Sequence, residues 1–305
     1  MLNLGFSMSA EDGCGSRYVL SDALASAVVA ANREYGGGRE RRTQPAYGDE
    51  LWFRLRELGA SRLAWSEMNV LDACCGSGFL SYHLLARAHP RELTLLDVSP
   101  EEVREAELLV ASRDGERPQG VVAVCGDLAE VHLQANHYDV VVGNSFLHHF
   151  PDVPGVLATI RQLVRPGGLL VGLHEPTPAA VPWESGDPRH VIAYFLLRKR
   201  YLRRIRYSGP GPVRDGTTDV WMFEPDDLQR LLVAAGFEQV RVLPRYLLRP
   251  FVVAALGLHL SAENPRLSTL QSTLLRATVA IDAILRRMLP ARAFGGLSFV
   301  ARRPA

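Results

Sequence analysis

The stretch Val70-Leu71-Asp72-Ala73-Cys74-Cys75-Gly76-Ser77-Gly78-Phe79-Leu80 decides the fold. An apolar run ends in an acid, two closely spaced glycines follow, and an apolar helical pattern begins. Gly76 and Gly78 allow a tight turn and let a ligand approach bare backbone where a helix starts. Outward from this loop, short apolar runs alternate with helical stretches, which predicts a parallel sheet built from βαβ units. The strands fall at 69–73, 92–98, 120–127, 138–145 and 169–175. Helices lie between them at 78–87, 100–113 and 153–164, the last with a stop signal in Arg165-Pro166-Gly167-Gly168. Residues 223–237 read as a helix ending at Gly236, followed by a strand at 237–244 and a final strand at 296–304. Upstream, a helix at 20–34 precedes a glycine-rich break and a second helix at 49–58.

The acids are spaced for a nucleoside. The second strand ends in Asp97, at a distance from Gly78 that suits a ribose, whose two hydroxyls donate to one carboxylate. The third ends in Cys125-Gly126-Asp127-Leu128, where an acid can accept from an exocyclic amine. A lone aspartate at a strand end also serves as a helix cap or turn former, and that reading stands beside the binding one for Asp97 and Asp127. A nicotinamide dehydrogenase is disfavoured, because the third position of its glycine fingerprint is Ser81 and no Tyr-x-x-x-Lys pair accompanies Lys199.

Taken in order, DACCGSG, LLDVS, CGDL, DVVVGNSFLHHF and LVRPGG resemble a class I S-adenosylmethionine-dependent methyltransferase of the small-molecule type. The resemblance covers residues 68–175 and resumes at 222–244 and 296–304. It implies an α/β, Rossmann-like doubly wound sheet, mostly parallel with an antiparallel last strand, plus helical lid insertions. It also implies S-adenosylmethionine as cofactor and S-adenosylhomocysteine as product. Asp72, Ala73, Cys74, Gly76 and Gly78 would lie along the methionine part, and Asp97 with Val98 would take the ribose. Gly126, Asp127 and Leu128 would flank adenine, and Asn144 and Ser145 would line the sulfonium. Cys74 departs from the family pattern, which has the first glycine of the loop there.

A sulfonium methyl is already electrophilic, so its transfer needs in-line positioning, with a base only for an acceptor such as a hydroxyl. The candidate bases cluster after the fourth and fifth strands: His148, His149, His174 and Glu175. One of the two adjacent histidines is also readable as a structural hydrogen-bonding residue.

Composition is that of an ordinary globular protein: 305 residues, 47% hydrophobic, 22% charged, net charge +1. This excludes disordered, collagen-like and disulfide-scaffold classes and gives no sign of a nucleic-acid partner. The fourth-strand sequence NSFLHH also lacks the Asn/Asp-Pro-Pro-aromatic signature of amino-group DNA methylators. The four cysteines form no metal-spaced pair, so no metal and a reduced, cytoplasmic setting are expected. The amino terminus lacks a signal-peptide pattern, and the apolar run 251–262 is shorter than the roughly 20 residues of a spanning helix.

The expected organisation is an amino-terminal helical cap, 1–67, and a methyltransferase domain, 68–305, with lid insertions at 176–221 and 245–295. Within the first insertion, Arg189, Arg198, Lys199, Arg200, Arg203, Arg204 and Arg206 form a run without acids, readable as a solvated helix face or as suited to a phosphate, a carboxylate, a carrier-protein surface or anionic lipid. In the second, Leu267, Leu270, Leu274, Ala277, Ile281, Ile284 and Met288 make a helical seam expected to pack on the domain or, as an alternative, on a second copy in a homodimer. The resulting expectation is a small, lipophilic acceptor bearing an anionic group, in specialised metabolism. Two rivals remain at this level: a cyclase or rearrangement enzyme keeping the cofactor, and a binding protein without turnover.

Overall fold

The computed structural model describes residues 30, 45–114, 120–180, 221–249, 252 and 267–305. Most of the helix expected at 20–34 and the whole basic run 189–206 lie outside the described residues.

Seven strands form one sheet in the order β3-β2-β1-β4-β5-β7-β6. They are β1 (Asn69–Ala73), β2 (Glu92–Asp97), β3 (Val121–Cys125), β4 (Tyr138–Asn144), β5 (Val164–Pro176), β6 (Glu238–Arg245) and β7 (Gly296–Arg302). The pairs among β1 to β5 are parallel, and β7 runs antiparallel between β5 and β6. Every residue of β1 is buried, as a central parallel strand covered on both faces requires. One face carries α1 (Pro45–Leu58), α2 (Phe79–Arg87) and α3 (Pro100–Asp114), which contribute Leu55, Leu84 and Ala106 to its core. The other carries α4 (Val153–Leu163) and α5 (Pro225–Ala234), with Leu157, Ile160, Leu228 and Leu232. Strand order reverses between β1 and β4, so the crevice of this doubly wound sheet opens at their carboxyl ends.

Two elements start earlier than the sequence pattern predicts. Helix α1 begins at Pro45 rather than 49, because proline fits the first helical position, where no intrahelical N–H bond is lost. Strand β5 begins at Val164 rather than 169: α4 stops at Leu163, and Val164 already pairs with Tyr138. Arg165-Pro166-Gly167-Gly168 becomes a bulge within the strand, since pairing resumes only at Val140 with Leu169. A Cβ on Gly168 would stand 2.7 Å from Val164 Cγ1 and 2.8 Å from the Asp139 carbonyl, so the bulge needs a glycine there.

The helix of the second insertion, α6 (Thr269–Leu285), is turned away from expectation. It buries Leu275, Thr278 and Asp282, while Leu270, Leu274, Ile281, Ile284 and Met288 are exposed. Polar hooks set this rotation. Asp282 accepts from the backbone N–H of Leu247 at 3.1 Å and of Leu248 at 3.0 Å, Arg286 pairs with Glu57, and Arg276 pairs with Asp49. The apolar seam is therefore not what packs this helix onto the domain.

Candidate active site

The chemistry-bearing residues gather along the carboxyl edge of the sheet. Asp72, the penultimate residue of β1, is fully buried, and Ser81, in the first turns of α2, donates its hydroxyl to Oδ2 at 2.5 Å. The other oxygen, Oδ1, is buried without a partner. Burial pushes the Asp72 carboxyl up to about 7; the Ser81 hydrogen bond opposes the shift and the charge of Asp97 adds to it.

The loop after β1 is left-handed three times, with φ of 58° at Cys74, 49° at Gly76 and 85° at Gly78. Cys74 thus adopts the conformation of the glycine it replaces, at a cost of order 1 kcal/mol for a residue with a Cβ. The loop is tied to the neighbouring strand through Cys75 N–H to the Leu96 carbonyl, 2.9 Å, and Gly76 N–H to Asp97 Oδ2, 2.9 Å. Gly78 serves the tight turn read in sequence, at φ 85°, and a second need as well. A Cβ there would lie 2.9 Å from Ala106 Cα, so its bareness lets the loop press on α3. Burial, with the neighbouring carboxylates, pushes the thiol pKa values of Cys74 and Cys75 upward, which disfavours their thiolate forms.

Asp97, at the end of β2, also accepts from Ser99 N–H through Oδ1 at 3.0 Å. Burial raises its pKa, while the N–H bonds from Ser99, Gly76 and Val98 pull it back. Each carboxylate oxygen can take a second donor, so two hydroxyls are accommodated without breaking these contacts. Asp127 follows β3; its Oδ1 accepts from Ala129 N–H at 2.9 Å, so the turn-forming reading describes one of its oxygens. Gly126 donates its N–H to the Asp97 carbonyl, and Leu128 and Ala73 are buried.

Beyond β4, Asn144 is half-buried and Ser145 is left-handed at φ 57°. Ser145 Oγ sits 3.0 Å from His174 Nδ1 and donates to the His174 carbonyl at 3.1 Å. His174 is itself left-handed, at φ 65°. Next to it Glu175, fully buried, holds the short turn Leu147–His149 by its backbone. Oε1 accepts from Phe146 and Leu147 N–H at 3.2 and 3.1 Å, and Oε2 accepts from His148 N–H at 3.2 Å and faces His148 Nδ1 at 2.8 Å. The rings of His148 and His149 are 4.1 Å apart, and His148 is buried. All four candidate bases thus lie at one edge of the sheet, with His148 and Glu175 joined directly. Sequence spacing did not single out Ser81 or Ser99; a hydroxyl in the first turns of the helix after the loop was the available signal for Ser81.

This donor set fits S-adenosylmethionine. The unpartnered Asp72 Oδ1 suits the cationic amine of its methionine part, and the Asp97 carboxylate suits the two ribose hydroxyls. Among the described residues no group of three His, Cys, Asp or Glu side chains could hold a metal ion.

Comparison with known proteins agrees. The model of the methyltransferase-domain family matches residues 44–242. The chain is 34% identical over 200 residues to the ubiquinone biosynthesis O-methyltransferase of Aromatoleum aromaticum, covering 62% of this chain and 75% of that one. It is 30% identical over 191 residues to the nocamycin O-methyltransferase of Saccharothrix syringae, covering 58% of this chain and 61% of that enzyme's length. The fold is shared with an S-adenosylmethionine-dependent methyltransferase of Mesorhizobium loti, TM-score 0.51 at 19% identity over 85% of this chain and all of that one. It is shared also with phosphoethanolamine N-methyltransferase 2 of Haemonchus contortus in complex with S-adenosylmethionine, TM-score 0.52 at 13% identity over 97% of this chain and 61% of that one. With its sheet order, its left-handed loop between two acid-ended strands and this family match, the chain belongs to the class I S-adenosylmethionine-dependent methyltransferases.

Proposed function

We propose that the chain transfers the methyl group of S-adenosylmethionine to a hydroxyl oxygen of a small, mainly hydrophobic metabolite, in the cytoplasm and in specialised metabolism. The observation that carries this reading is the buried contact of His148 Nδ1 with Glu175 Oε2 at 2.8 Å, placed on the same sheet edge as the Asp72 and Asp97 carboxylates. With Nδ1 donating to the carboxylate, Nε2 is the basic nitrogen of the imidazole. A hydroxyl needs such a base; a carboxylate or an activated carbon does not. Two of the relatives are named for O-methylation, in nocamycin and in ubiquinone biosynthesis, which supports oxygen as the receiving atom.

The cofactor supplies an electrophilic methyl on a sulfonium. The protein's part is to hold the donor by Asp72, Asp97 and Asp127, to line the reaction space with Asn144 and Ser145, and to take the hydroxyl proton on His148 Nε2. Glu175 keeps the imidazole in the required tautomer and stabilises the imidazolium that forms. Orientation of this kind is worth about 7–11 kcal/mol in favourable systems, so placement carries more of the rate than proton removal does.

The test is incubation with S-adenosylmethionine and a panel of phenols and enols, with mass spectrometry reading the gain of one methylene and S-adenosylhomocysteine formation. An O-methyl product from the wild type, lost about a hundredfold or more in His148→Gln, supports the reading. A methyl group found on carbon or nitrogen, or a rearranged product of unchanged mass, overturns it.

A further inference from the structure

We propose that Arg54, Arg245 and Arg249, gathered around Tyr246, form a subsite for an oxyanion, a carboxylate or a phosphate, carried by the methyl acceptor. This rests on the methyl-transfer reading and adds the chemical class of the acceptor to it.

The subsite begins one ring away from the reaction edge. The Tyr246 ring lies edge-on to His174, 4.6 Å between centroids, and His174 Nδ1 is 3.0 Å from Ser145 Oγ at the end of β4. Three non-glycine residues in this single chain of contacts are left-handed: Ser145 at φ 57°, His174 at 65° and Tyr246 at 65°. Such residues are strained, and strain of this kind collects where a structure must aim side chains at a ligand. A Cβ on Gly296 would stand 2.5 Å from Tyr246 Cδ2, so that strand-end glycine is what admits the ring.

Two cations from different elements converge on the ring. The guanidinium carbon of Arg54, from α1, is 4.7 Å from the Tyr246 centroid, and that of Arg249, from the segment after β6, is 5.4 Å away. Arg245 ends β6 immediately before Tyr246. Among the described residues four arginines, Arg54, Arg245, Arg249 and Arg286, face three acids. Glu50 serves both Arg54 and Arg249, Glu57 serves both Arg245 and Arg286, and Asp282 is engaged by the backbone N–H groups of Leu247 and Leu248. Each glutamate is therefore shared between two guanidinium groups. Among the described residues, Arg245 Nε and Nη2 and Arg286 Nη1 are buried with no hydrogen-bond partner, and Arg249 Nε, 3.2 Å from Glu50 Oε1, forms no well-directed bond. Arg245 is 3% exposed and Arg249 9%.

Buried charged donors without acceptors are costly, and a structural clasp of ion pairs would be expected to use them. An oxyanion supplies several acceptor lone pairs in the geometry a guanidinium fork matches, and it completes the charge balance. A molecule reaching from the methyl group past His174 along the Tyr246 face would deliver such a group to the cluster.

The probes are sodium benzoate and inorganic phosphate, titrated at constant ionic strength into the full chain saturated with S-adenosylhomocysteine, with the thermal midpoint and calorimetry as readouts. Saturable binding of one anion is expected, and which one saturates separates a carboxylate from a phosphate acceptor. Arg249→Gln and Arg245→Lys should each weaken that binding about tenfold or more, the loss of one charge-assisted hydrogen bond, and leave S-adenosylhomocysteine affinity unchanged. Saturation by neither anion, or wild-type affinity in both variants, overturns the subsite while leaving the methyl-transfer reading intact. A chain that binds no S-adenosylhomocysteine overturns that reading and the subsite with it. If the variants do not fold, a crystal structure of the wild type with S-adenosylhomocysteine and the saturating anion decides: density against Tyr246 and Arg249 supports the subsite, and density elsewhere refutes it.

Discussion

Replacing Glu175 with glutamine probes the site and the fold together. The wild-type carboxylate accepts four contacts: the N–H groups of Phe146, Leu147 and His148, and His148 Nδ1. A glutamine keeps one acceptor oxygen, enough for Phe146 and Leu147, and turns an NH2 toward His148. Two donors on His148 then face a donor, in a position with no access to water. Each charge-assisted bond contributes about 1.5–3 kcal/mol, and an orphaned buried donor costs about 1–3 kcal/mol. Allowing for non-additivity between neighbours, Glu175→Gln should lose about 3 kcal/mol, a large share of a typical stability of about 5–15 kcal/mol. Urea unfolding reads this as a lower midpoint at unchanged slope. In turnover, kcat should fall about a hundredfold while S-adenosylhomocysteine still binds, because the carboxylates proposed to hold it, Asp72, Asp97 and Asp127, sit at β1, β2 and β3 rather than on this turn. A variant with the wild-type urea midpoint would refute the assignment of Glu175 as the residue that holds the turn and orients His148.

The Asp72 carboxyl, raised to about 7, is protonated in the ligand-free protein below neutrality, so affinity for S-adenosylhomocysteine should rise between pH 6 and 7 and then level. Titration at several pH values checks this, and Asp72→Asn should flatten the curve. The same shift makes the ligand-free fold lose stability as pH climbs from about 4 to about 7, since the folded state retains a proton that the unfolded chain has released. Gly78→Ala places a Cβ 2.9 Å from Ala106 Cα on a backbone at φ 85°, and should cost about 2–3 kcal/mol in urea unfolding. The equally spaced Gly76→Ala meets only a side-chain oxygen at 3.6 Å, so it should cost less stability than Gly78→Ala and act more on cofactor affinity.

The loop and the acids were legible because each is local. Asp72, Asp97 and Asp127 announce themselves at the ends of apolar runs, and the strands carrying Asp72 and Asp97 are set by burial on both faces. The RPGG bulge was not legible, since a turn between a helix and a strand and a bulge inside the strand use the same residues; only the pairing of Val164 with Tyr138 tells them apart. The orientation of α6 escaped because its apolar spacing was strong while three polar hooks, Asp282, Arg286 and Arg276, set its rotation through residues far away in sequence. The link between His148 and Glu175 joins positions 27 residues apart on different elements, which periodicity cannot reveal.

The account stands most directly on a calorimetric titration of S-adenosylhomocysteine into the wild type and into Asp97→Ala. One equivalent should bind the wild type, and the variant, deprived of the carboxylate that ties the loop and is proposed to take the ribose, should bind at least tenfold more weakly. Equal affinity in the two proteins, with the variant folded, would contradict it.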